Sequence, residues 1–485
     1  MAPLAIAGPV NVVLTTASLG LLFIVGVVFY NLFLHPLRSF PGPLLWRVSS
    51  FPRSYWMLRA RLPYRVAELH ERYGTAVRIS PGTVSFSSPE AWTDIYGHRK
   101  AGQPEFAKHR HFYMSTSDTE AHSIILAGRE EHTQLRRAMA HGFSEKSMRG
   151  QEPIIGSYID LLIAKLRDHA ATGAPANMRD WLNWTTFDVI GDLGFGSAFG
   201  CLRDGDYHPW VRLITTTFRA DSVFQALNYI GLRPLAIYIA SRGGNKHRRE
   251  HLALCKAKVA QRGELAVFVA LTEEELVRNG STLIIAGSET TATLLSGAIF
   301  LLTTHPDKLA KLVEEVRSTF NSEEEITLNS VSRLTYMLAC LNEALRCYPP
   351  VATGLPRVVP KGGAYVAGKF VPENTVVAVW QWAVNHDSRY WTEPWSYRPE
   401  RFLGDPRFKG DQLDAMQPFS AGPRNCIGKN LAYAEMRLIL ARIIWNFDLA
   451  LEDDSREWLK DQPVYSLWDK PALNVRLTPV PAKNA

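Results

Sequence analysis

A single helix of about 30 residues in the second half of the chain sets the strongest limit on the fold. Thr272 and Glu275 form a capping-box pattern, in which the threonine accepts from the backbone of Glu275 and the glutamate reaches back. No helix breaker follows until Pro306, so the helix should extend for roughly 45 Å. A helix of that length crosses the whole body, and the other elements must pack around it.

An acid and an alcohol interrupt the apolar middle of this helix. Glu289 and Thr290 follow the small residues Ala286 and Gly287. A buried carboxylate without partners is costly, so Glu289 is paired, hydrated or functional, and a glutamate satisfied inside the core is the plain alternative. An acid beside an alcohol, where small residues let a ligand approach the backbone, is what a proton-delivery site needs.

A loop containing glycine and proline, residues 419–428, carries Cys426 towards a second apolar helix, predicted from Leu431 to Trp445. Free N–H groups and the positive end of the helix dipole stabilise a thiolate at such a place, which makes the sulfur a good metal ligand or nucleophile. The chain has five cysteines with no close pair, which argues against a disulfide framework or zinc knuckles and fits a reducing compartment. The remaining cysteines are expected to be structural: Cys201, Cys255, Cys340 and Cys347.

The composition indicates one large folded domain. The 485 residues are 46% hydrophobic and 11% aromatic, which is too apolar for disorder, and no linker, charge block or repeat divides them. Lys and Arg exceed Asp and Glu by 54 to 47, a net charge of +7. This charge suits an acidic partner or an anionic membrane better than nucleic acid, and no nucleic-acid partner is expected.

Most of the body should be helical, with two short β pairs. The first pair is Ala76–Ile79 with Thr83–Phe86, and the second is Ala364–Val366 with Thr375–Val379.

A glycine-rich run at 191–196 superficially resembles a phosphate loop. No Lys-Ser/Thr follows it, so we reject a nucleotide site there.

The N-terminal residues 10–30 predict a transmembrane helix. They are apolar apart from one Asn, two Thr and one Ser, and about 20 such residues match a hydrocarbon core of about 30 Å. A cleaved signal peptide is the alternative, although the run is longer than the usual apolar region of such a peptide and no basic segment precedes it.

The charges around this run predict its orientation. No Lys or Arg precedes it, so the positive-inside rule places residues 1–9 in the lumen and the body in the cytosol. Three arginines follow it: Arg38, Arg47 and Arg53. Three prolines make residues 31–43 a hinge that stops the helix, and the folded body is expected at 44–485.

The cysteine loop carries a family signature. The pattern Phe419-x-x-Gly422-x-Arg424-x-Cys426-x-Gly428 resembles the haem-binding loop of the cytochrome P450 superfamily, in which the cysteine thiolate is the proximal iron ligand. The proline-containing hinge and the segment Phe187–Gly196 are similar to those of microsomal-type members from fungal secondary metabolism.

Three further motifs occur in the family order: Ala286-Gly287-x-Glu289-Thr290-Thr291, Glu343-Ala344-Leu345-Arg346 and Pro399-Glu400-Arg401-Phe402. The first resembles the oxygen-activation motif. Glu343 and Arg346 alone would be a solvated i, i+3 pair worth about 0.2–0.5 kcal/mol. The resemblance instead implies that they form a buried structural triad with Arg401.

The resemblance implies a mainly α fold with small β-sheets, the cytochrome P450 fold, after an N-terminal transmembrane helix. Haem b would lie between the long central helix and the Cys-loop helix, with Cys426 as the metal ligand and Glu289 and Thr290 as the catalytic pair. The residues expected to bind the cofactor are Cys426, Arg136, His132, Arg357, Arg424, Phe419, Gly428 and Ala286. The arginines would pair with the haem propionates, and His132 stands where many members carry Trp.

The function implied is that of a membrane-anchored haem-thiolate monooxygenase. It would hydroxylate or epoxidise a lipophilic small molecule, with O2 and electrons from NADPH-cytochrome P450 reductase and cytochrome b5 as a possible second donor. The docking surface for the reductase would include Lys429 and Arg424. The body would be a haem-thiolate catalytic domain on the cytosolic face of the endoplasmic reticulum, held by a single-pass anchor.

Two alternatives remain open at this point. One is a haem-thiolate enzyme that rearranges or dehydrates its substrate without external electrons. The other is a non-catalytic haem protein, which has no use for an acid–alcohol pair. The connection from Arg242 to Leu271 also looks shorter than in the fungal members that the chain resembles.

Overall fold

The computed structural model describes residues 9–100, 102–113, 122–239, 245–261 and 271–481. Residues 1–8 of the predicted lumenal segment therefore lie outside the described residues, as do residues 242–244 and 262–270 of the connection between Arg242 and Leu271. The helices are α1 Pro9–Phe29, α2 Leu44–Val48, α3 Phe51–Leu58, α4 Leu62–Tyr73, α5 Pro89–Tyr96, α6 Arg129–Ala140, α7 Glu145–Ala171, α8 Met178–Phe195, α9 Cys201–Asp204, α10 Pro209–Tyr229, α11 Arg233–Ile239, α12 Asn245–Gln261, α13 Glu273–Thr303, α14 Pro306–Thr319, α15 Thr335–Cys347, α16 Gln381–Asn385 and α17 Lys429–Asn446.

The strands form small sheets at the edge of the helical body. They are β1 Ala76–Ser80, β2 Thr83–Phe86, β3 Ala107–Lys108, β4 Ala176–Asn177, β5 Arg357–Val358, β6 Ala364–Val366, β7 Lys369–Val371, β8 Val376–Val379, β9 Phe447–Leu451 and β10 Asn474–Pro479. The sheet orders are β1-β2-β8-β5-β3, β4-β10-β9 and β6-β7. The mainly α prediction is confirmed.

One predicted β pair is correct and the other is wrong. Strands β1 and β2 pair antiparallel, as expected. Strand β6 pairs with β7 across the turn at Gly368, whereas β8 leaves this hairpin and pairs in parallel with β2. All four β8 side chains are buried, and an interior position in the larger sheet covers both faces of the strand, which a two-stranded hairpin would not do.

Helix α13 is the predicted central helix. It has 31 residues, and both hydrogen bonds of the capping box form, 3.3 Å from the Glu275 N–H to Thr272 Oγ1 and 2.8 Å from the Thr272 N–H to Glu275 Oε2. Its C-terminal half is buried on all faces in the largest apolar cluster. The helix therefore positions any site along its exposed stretch against a rigid core.

Helix α8 packs closely along α13. A Cβ added at Gly287 would lie 2.8 Å from Ile190, so the glycine permits the two helices to approach. The glycine-rich run at 191–196 belongs to the last turns of α8, and Gly196, with φ +72°, ends the helix in the left-handed region.

The N-terminal apolar helix lies outside the core. Residues 11–34 form a continuous helical span of 24 residues, and its most apolar 18-residue stretch has mean hydropathy 2.5 and no buried residue. Among the described residues, α13 is also long and apolar enough to cross a membrane, but 67% of its most apolar 18-residue stretch is buried and it forms the core helix. The N-terminal helix is thus a candidate membrane anchor.

The segment after α1 is fixed to the body. The fully buried Arg78 donates from Nη1 to the carbonyl of Asn31 at 2.8 Å, and its own backbone N–H donates to Pro41 at 2.8 Å. A Cβ at Gly42 would lie 2.5 Å from the Arg78 carbonyl oxygen, so the chain passes close over β1. These contacts attach the segment of the predicted hinge to the sheet.

Candidate active site

The cysteine loop is shaped by one close backbone approach. Gly422 has φ +72°, and a Cβ there would lie 2.0 Å from the carbonyl oxygen of Tyr96. The Cys426 N–H donates to the Phe419 carbonyl at 2.9 Å, which closes the loop. Helix α17 begins at Lys429, directly after Gly428. The loop is therefore held between helix α5 and the start of α17.

The Cys426 sulfur is set in a recess. Its side chain is accessible to solvent, yet the surrounding protein raises the pKa of the thiol by burial. The Gly428 N–H and the charges of Arg136 and Lys429 act in the opposite direction and favour the thiolate. The sequence predicts a stabilised thiolate here. The stabilising groups are present, but burial outweighs them in the protein alone.

Cations gather beside this loop. His132, Arg357 and Arg424 line one cavity of about 180 Å³, together with Arg99 and Arg129. Three of the four residues predicted to contact the propionates are thus brought together.

The fourth, Arg136, binds the loop itself. Its guanidinium donates to the carbonyl oxygen of Asn425 at 2.6 Å and to the side-chain oxygen of Asn425 at 2.5 Å. Asn425 directly precedes the cysteine. Arg136 therefore holds the position of the Cys426 backbone.

The cation cluster has few counter-charges. Arg424 pairs with Glu105 at 3.0 Å and donates to the carbonyl of Ala127 at 2.9 Å. Within the described residues, the buried Arg357 Nε has no hydrogen-bond partner. Burial and the neighbouring positive charges lower the pKa of His132 to about 4. An anion would be stabilised in this cavity.

Lys108 belongs to the same cluster and was not predicted from the sequence. Burial, followed by the charges of Arg424 and Arg357, lowers the pKa of its ammonium group to about 6. Its Nζ donates to backbone carbonyls of the loop before α6, those of Ile124 at 3.3 Å and Ala127 at 3.4 Å. Pairing of β3 with β5 brings Lys108 opposite Arg357, and this pairing has no signal in the local sequence.

The middle of α13 opens to solvent at the predicted acid–alcohol pair. Ala286 is exposed and Thr290 partly so, and the Thr290 hydroxyl donates to the Ala286 carbonyl at 2.6 Å. Gly287 does not contribute to this opening, although the sequence suggested that it would let a ligand approach. It faces Ile190 of α8, so its small size serves helix packing and not the approach of a ligand.

Glu289 is paired. Its Oε2 lies 3.0 Å from Nζ of Lys470, whose ammonium group also donates to the Thr293 hydroxyl at 2.7 Å. Of the alternatives that the sequence left open, the structure therefore shows pairing. Lys470 was not predicted, because it is 181 positions away in the chain.

The structure brings Glu343, Arg346 and Arg401 together. Arg346 Nη2 lies 2.8 Å from the Glu343 carboxylate and Arg401 Nε lies 3.0 Å from it, with all three side chains fully buried. Arg401 also pairs with Asp411. Arg346 donates to the carbonyl of Asn385 at 2.7 Å, which ties α15 to α16.

A second buried acid links α13 to the cysteine helix. Glu435 of α17 is fully enclosed and hydrogen-bonds the Thr291 hydroxyl. Burial raises the pKa of this carboxyl to about 8, so it is largely protonated at neutral pH. Glu435 was not predicted from the sequence, because in isolation it looks like an ordinary helical glutamate.

The comparisons with known proteins agree with this arrangement. The family model for cytochrome P450 matches residues 40–253 and 238–475. A cytochrome P450 monooxygenase of Talaromyces stipitatus, tpeC, is 49% identical over 96% of this chain and 95% of its own length. Trichothecene C-15 hydroxylase of Fusarium sporotrichioides is 45% identical, over 95% of this chain and 96% of its own. Averantin hydroxylase of Dothistroma septosporum is 42% identical, over 95% and 90%.

The chain belongs to the cytochrome P450 family. It is an oxidoreductase of the monooxygenase class, and its relatives include named hydroxylases of fungi. The resemblance inferred from the motifs is therefore confirmed. Membership implies a haem-thiolate cofactor, a redox partner and a small-molecule substrate.

Proposed function

We propose that the protein is a membrane-anchored monooxygenase of fungal secondary metabolism in which Cys426 ligates the iron of haem b. Glu289 and Thr290, on helix α13, would deliver protons to the reacting oxygen. The overall reaction consumes O2, NADPH and a proton, inserts one oxygen atom into a lipophilic substrate and releases the other as water. One observation carries the proposal: the accessible Cys426 side chain lies in a recess beside a cluster of cations that has fewer negative than positive charges.

The residues present fit a haem. Its two propionates are carboxylates, and the cavity lined by His132, Arg357 and Arg424 offers more positive than negative charge. The unpartnered Arg357 Nε can donate to one of them. His132 can offer a ring N–H where other members carry Trp. When bound, the cofactor supplies the oxidising chemistry, while the protein provides ligation, orientation and protons.

The remaining site residues have supporting roles in this proposal. Arg136 holds the backbone before the cysteine, the Phe419 carbonyl accepts from the Cys426 N–H, and the Gly428 N–H donates to the Cys426 sulfur. Ala286 leaves space on α13 next to the Thr290 hydroxyl, which donates to the Ala286 carbonyl and would accept from a water in a proton-delivery path.

The buried triad makes a separate contribution. Glu343, Arg346 and Arg401 would hold helix α15 against the segment that leads to the cysteine loop.

The electron donor is proposed to be NADPH-cytochrome P450 reductase, with cytochrome b5 as a second donor. Lys429 is exposed beside the cysteine loop and suits an acidic partner. Arg424 does not, because its guanidinium already binds Glu105 and is mostly buried.

The location is proposed to be the endoplasmic reticulum membrane, with a single-pass anchor at 10–30, a hinge at 31–43 and the catalytic domain at 44–485 in the cytosol. The unburied apolar helix supports the anchor. Exposed apolar side chains on α2 and α3 follow the hinge and can rest on the same bilayer: Leu44, Leu45 and Phe51. Protease protection of a tag at the N-terminus in microsomes would test this orientation.

The substrate class is proposed from the family and from the relatives. In the family, residues corresponding to Phe106–Leu126 form part of the wall of the substrate pocket, and residues 114–121 of this segment lie outside the described residues. Two of the relatives are named as hydroxylases, one acting on a trichothecene and the other on averantin. We propose a lipophilic secondary metabolite as the substrate, with a trichothecene and averantin among the first compounds to be screened.

The first experiment is the difference spectrum of the reduced protein with CO. A strongly red-shifted Soret band is expected for the wild type and for Cys340→Ala, a control that removes a buried cysteine outside the loop. Cys426→Ala should lose the band. A red-shifted band that survives in Cys426→Ala would refute the assignment of the ligand.

The second experiment tests proton delivery. Thr290→Ala should keep the CO band while more NADPH electrons leave as peroxide. Thr303→Ala is the matched control, because its hydroxyl makes the same bond to a carbonyl one turn back on the same helix, at 2.8 Å. Unchanged peroxide release in Thr290→Ala would remove Thr290 from this role.

A further inference from the structure

The ion pair between Glu289 and Lys470 is buried on α13, one residue from the hydroxyl of Thr290. The Lys470 side chain is 3% exposed and that of Glu289 13%, and Nζ bridges Glu289 Oε2 and the Thr293 hydroxyl. A lysine with two acceptors on successive turns of one helix has little freedom to move. The carboxylate is therefore held in one orientation.

The Lys470 backbone is itself anchored. Its carbonyl accepts from Arg179 Nη1 of α8 at 2.9 Å. Two residues earlier, the indole of Trp468 donates to the Pro349 carbonyl at 2.8 Å, and three residues later the Leu473 N–H donates to Asn177 at 3.0 Å. The ammonium group is thus presented to α13 by a segment fixed on both sides.

The same segment contacts helix α10. Asp469 pairs with Arg219 at 2.5 Å, and the Tyr465 carbonyl accepts from the Ser222 hydroxyl at 2.9 Å. Residues 465–470 therefore join α10 to the acid on α13.

The pairing leaves part of the carboxylate available. Among the described residues, the hydrogen bonds that the structure shows to Glu289 engage Oε2, through Lys470. The second oxygen, Oε1, is not used by that lysine and belongs to a side chain that is partly accessible. Removing the Lys470 ammonium group would leave the Glu289 carboxylate buried without a counter-charge and free to reorient. The pair therefore matters for the position of the carboxylate.

We infer that Lys470 is a positioning residue for proton delivery: it holds Glu289 through Oε2 and keeps the carboxylate in one orientation, which leaves Oε1 available to exchange a proton with solvent. The inference rests on the proposed role of Glu289. Lys470 does not touch substrate or cofactor and acts only through the carboxylate.

The test uses the full-length holoprotein with reductase, NADPH and O2 and without an organic substrate. One NADPH, one proton and one O2 give NADP⁺ and H2O2, whereas two NADPH, two protons and one O2 give two NADP⁺ and two H2O. The ratio of water to peroxide follows from the NADPH, O2 and peroxide amounts. It reports how well protons reach the reduced oxygen.

Lys470→Met should lower the ratio of water to peroxide about tenfold, less than the ~10²-fold or more expected for loss of a proton-transfer group itself. Lys470→Arg keeps the cation and should restore most of the ratio. Adding Lys470→Met to Glu289→Gln should change nothing further, because both act through one carboxylate. The CO band shows that each variant has assembled.

Lys308→Met is the matched control. Lys308 also forms a buried pair, 2.6 Å from Glu400 with side chains 8% and 11% exposed, but on α14. It should lower the melting temperature and leave the ratio unchanged. If Lys470→Met does not assemble with haem, Lys470→Arg and Lys470→Gln replace it. The ratio of water to peroxide should then stay near the wild-type value in Lys470→Arg and fall in Lys470→Gln.

The outcomes separate the two hypotheses. A normal ratio in Lys470→Met together with a reduced ratio in Glu289→Gln would overturn the inference and leave Glu289 in place. A normal ratio in Glu289→Gln would refute the proposed role of Glu289 itself. Equal loss in Lys308→Met and Lys470→Met would show a general effect of destabilisation and would also overturn the inference.

Discussion

Replacing the buried Glu435 by glutamine should stabilise the protein at neutral pH. Burial raises the pKa of this carboxyl to about 8, against 4.5 for an ordinary glutamate. Between these values the folded chain keeps a proton that the unfolded chain has released, so stability is lost as the pH rises from 4.5 towards 8. At pH 7 the loss is about 3 kcal/mol, from roughly 1.4 kcal/mol for each pH unit. Glutamine can accept the bond from Thr291 and does not titrate.

The assay is thermal unfolding in detergent micelles between pH 5 and 8.5. An unfolding entropy of ~2.1 cal/mol/K per residue gives about 1 kcal/mol/K for a chain of this length, so Glu435→Gln should melt about 3 °C higher at pH 7. At pH 5 the two proteins should differ by less than about 1 °C. Glu314→Gln, which changes an exposed glutamate, should follow the wild type. A Glu435→Gln protein that melts at or below the wild type at pH 7, or that shows the same pH slope, would refute the reasoning.

Three further predictions concern the cysteine loop and its surroundings. Gly422→Ala should abolish the CO band, because its Cβ would lie 2.0 Å from the Tyr96 carbonyl oxygen. Gly404→Ala is the control, because Gly404 has a similar φ of +77° and open space around it. This variant should keep the band and lose only ~1–2 kcal/mol in the free energy of unfolding. Glu343→Gln should cost ~3–5 kcal/mol in the free energy of unfolding, seen as a lower melting temperature, since two buried guanidinium groups lose their shared carboxylate. Arg357→Met should speed the transfer of haem to an apo-globin acceptor by about tenfold, as expected for a lost charged hydrogen bond worth about 1.5 kcal/mol.

Contrary results would be equally specific. If Gly404→Ala lost the CO band as completely as Gly422→Ala, backbone strain and not the contact with Tyr96 would explain the loss. A Glu343→Gln protein with wild-type stability would mean that the triad is not a major support of the fold. Unchanged haem transfer in Arg357→Met would exclude a direct bond to the cofactor.

The buried ion pair at Glu289 shows the limit of motif reading. The motif predicts an acid and an alcohol on α13, and the structure places both there. The sequence also suggested that Gly287 lets a ligand approach, whereas the structure assigns this glycine to packing against Ile190. A motif states which residues occur together, but the face of the helix that each one occupies depends on the neighbouring helix.

The sequence by itself determined the elements whose signals are local. The capping box at Thr272, the Pro306 that follows α13 and the apolar run of the N-terminal helix each act within a few residues, so nearest-neighbour chemistry is enough to read them. The spacing around Cys426 identified the family for the same reason, because the loop is one continuous segment.

Only the tertiary structure decided which distant residues meet. Strand β8 pairs with β2 and not with the neighbouring β6, and Lys108 and Lys470 reach charged partners from remote parts of the chain. A lysine in an isolated sequence reads as a solvated charge. Whether it is buried, and beside which carboxylate or guanidinium, is set by the packing of whole elements, and that packing is what gives this protein its cation cluster and its positioned acid.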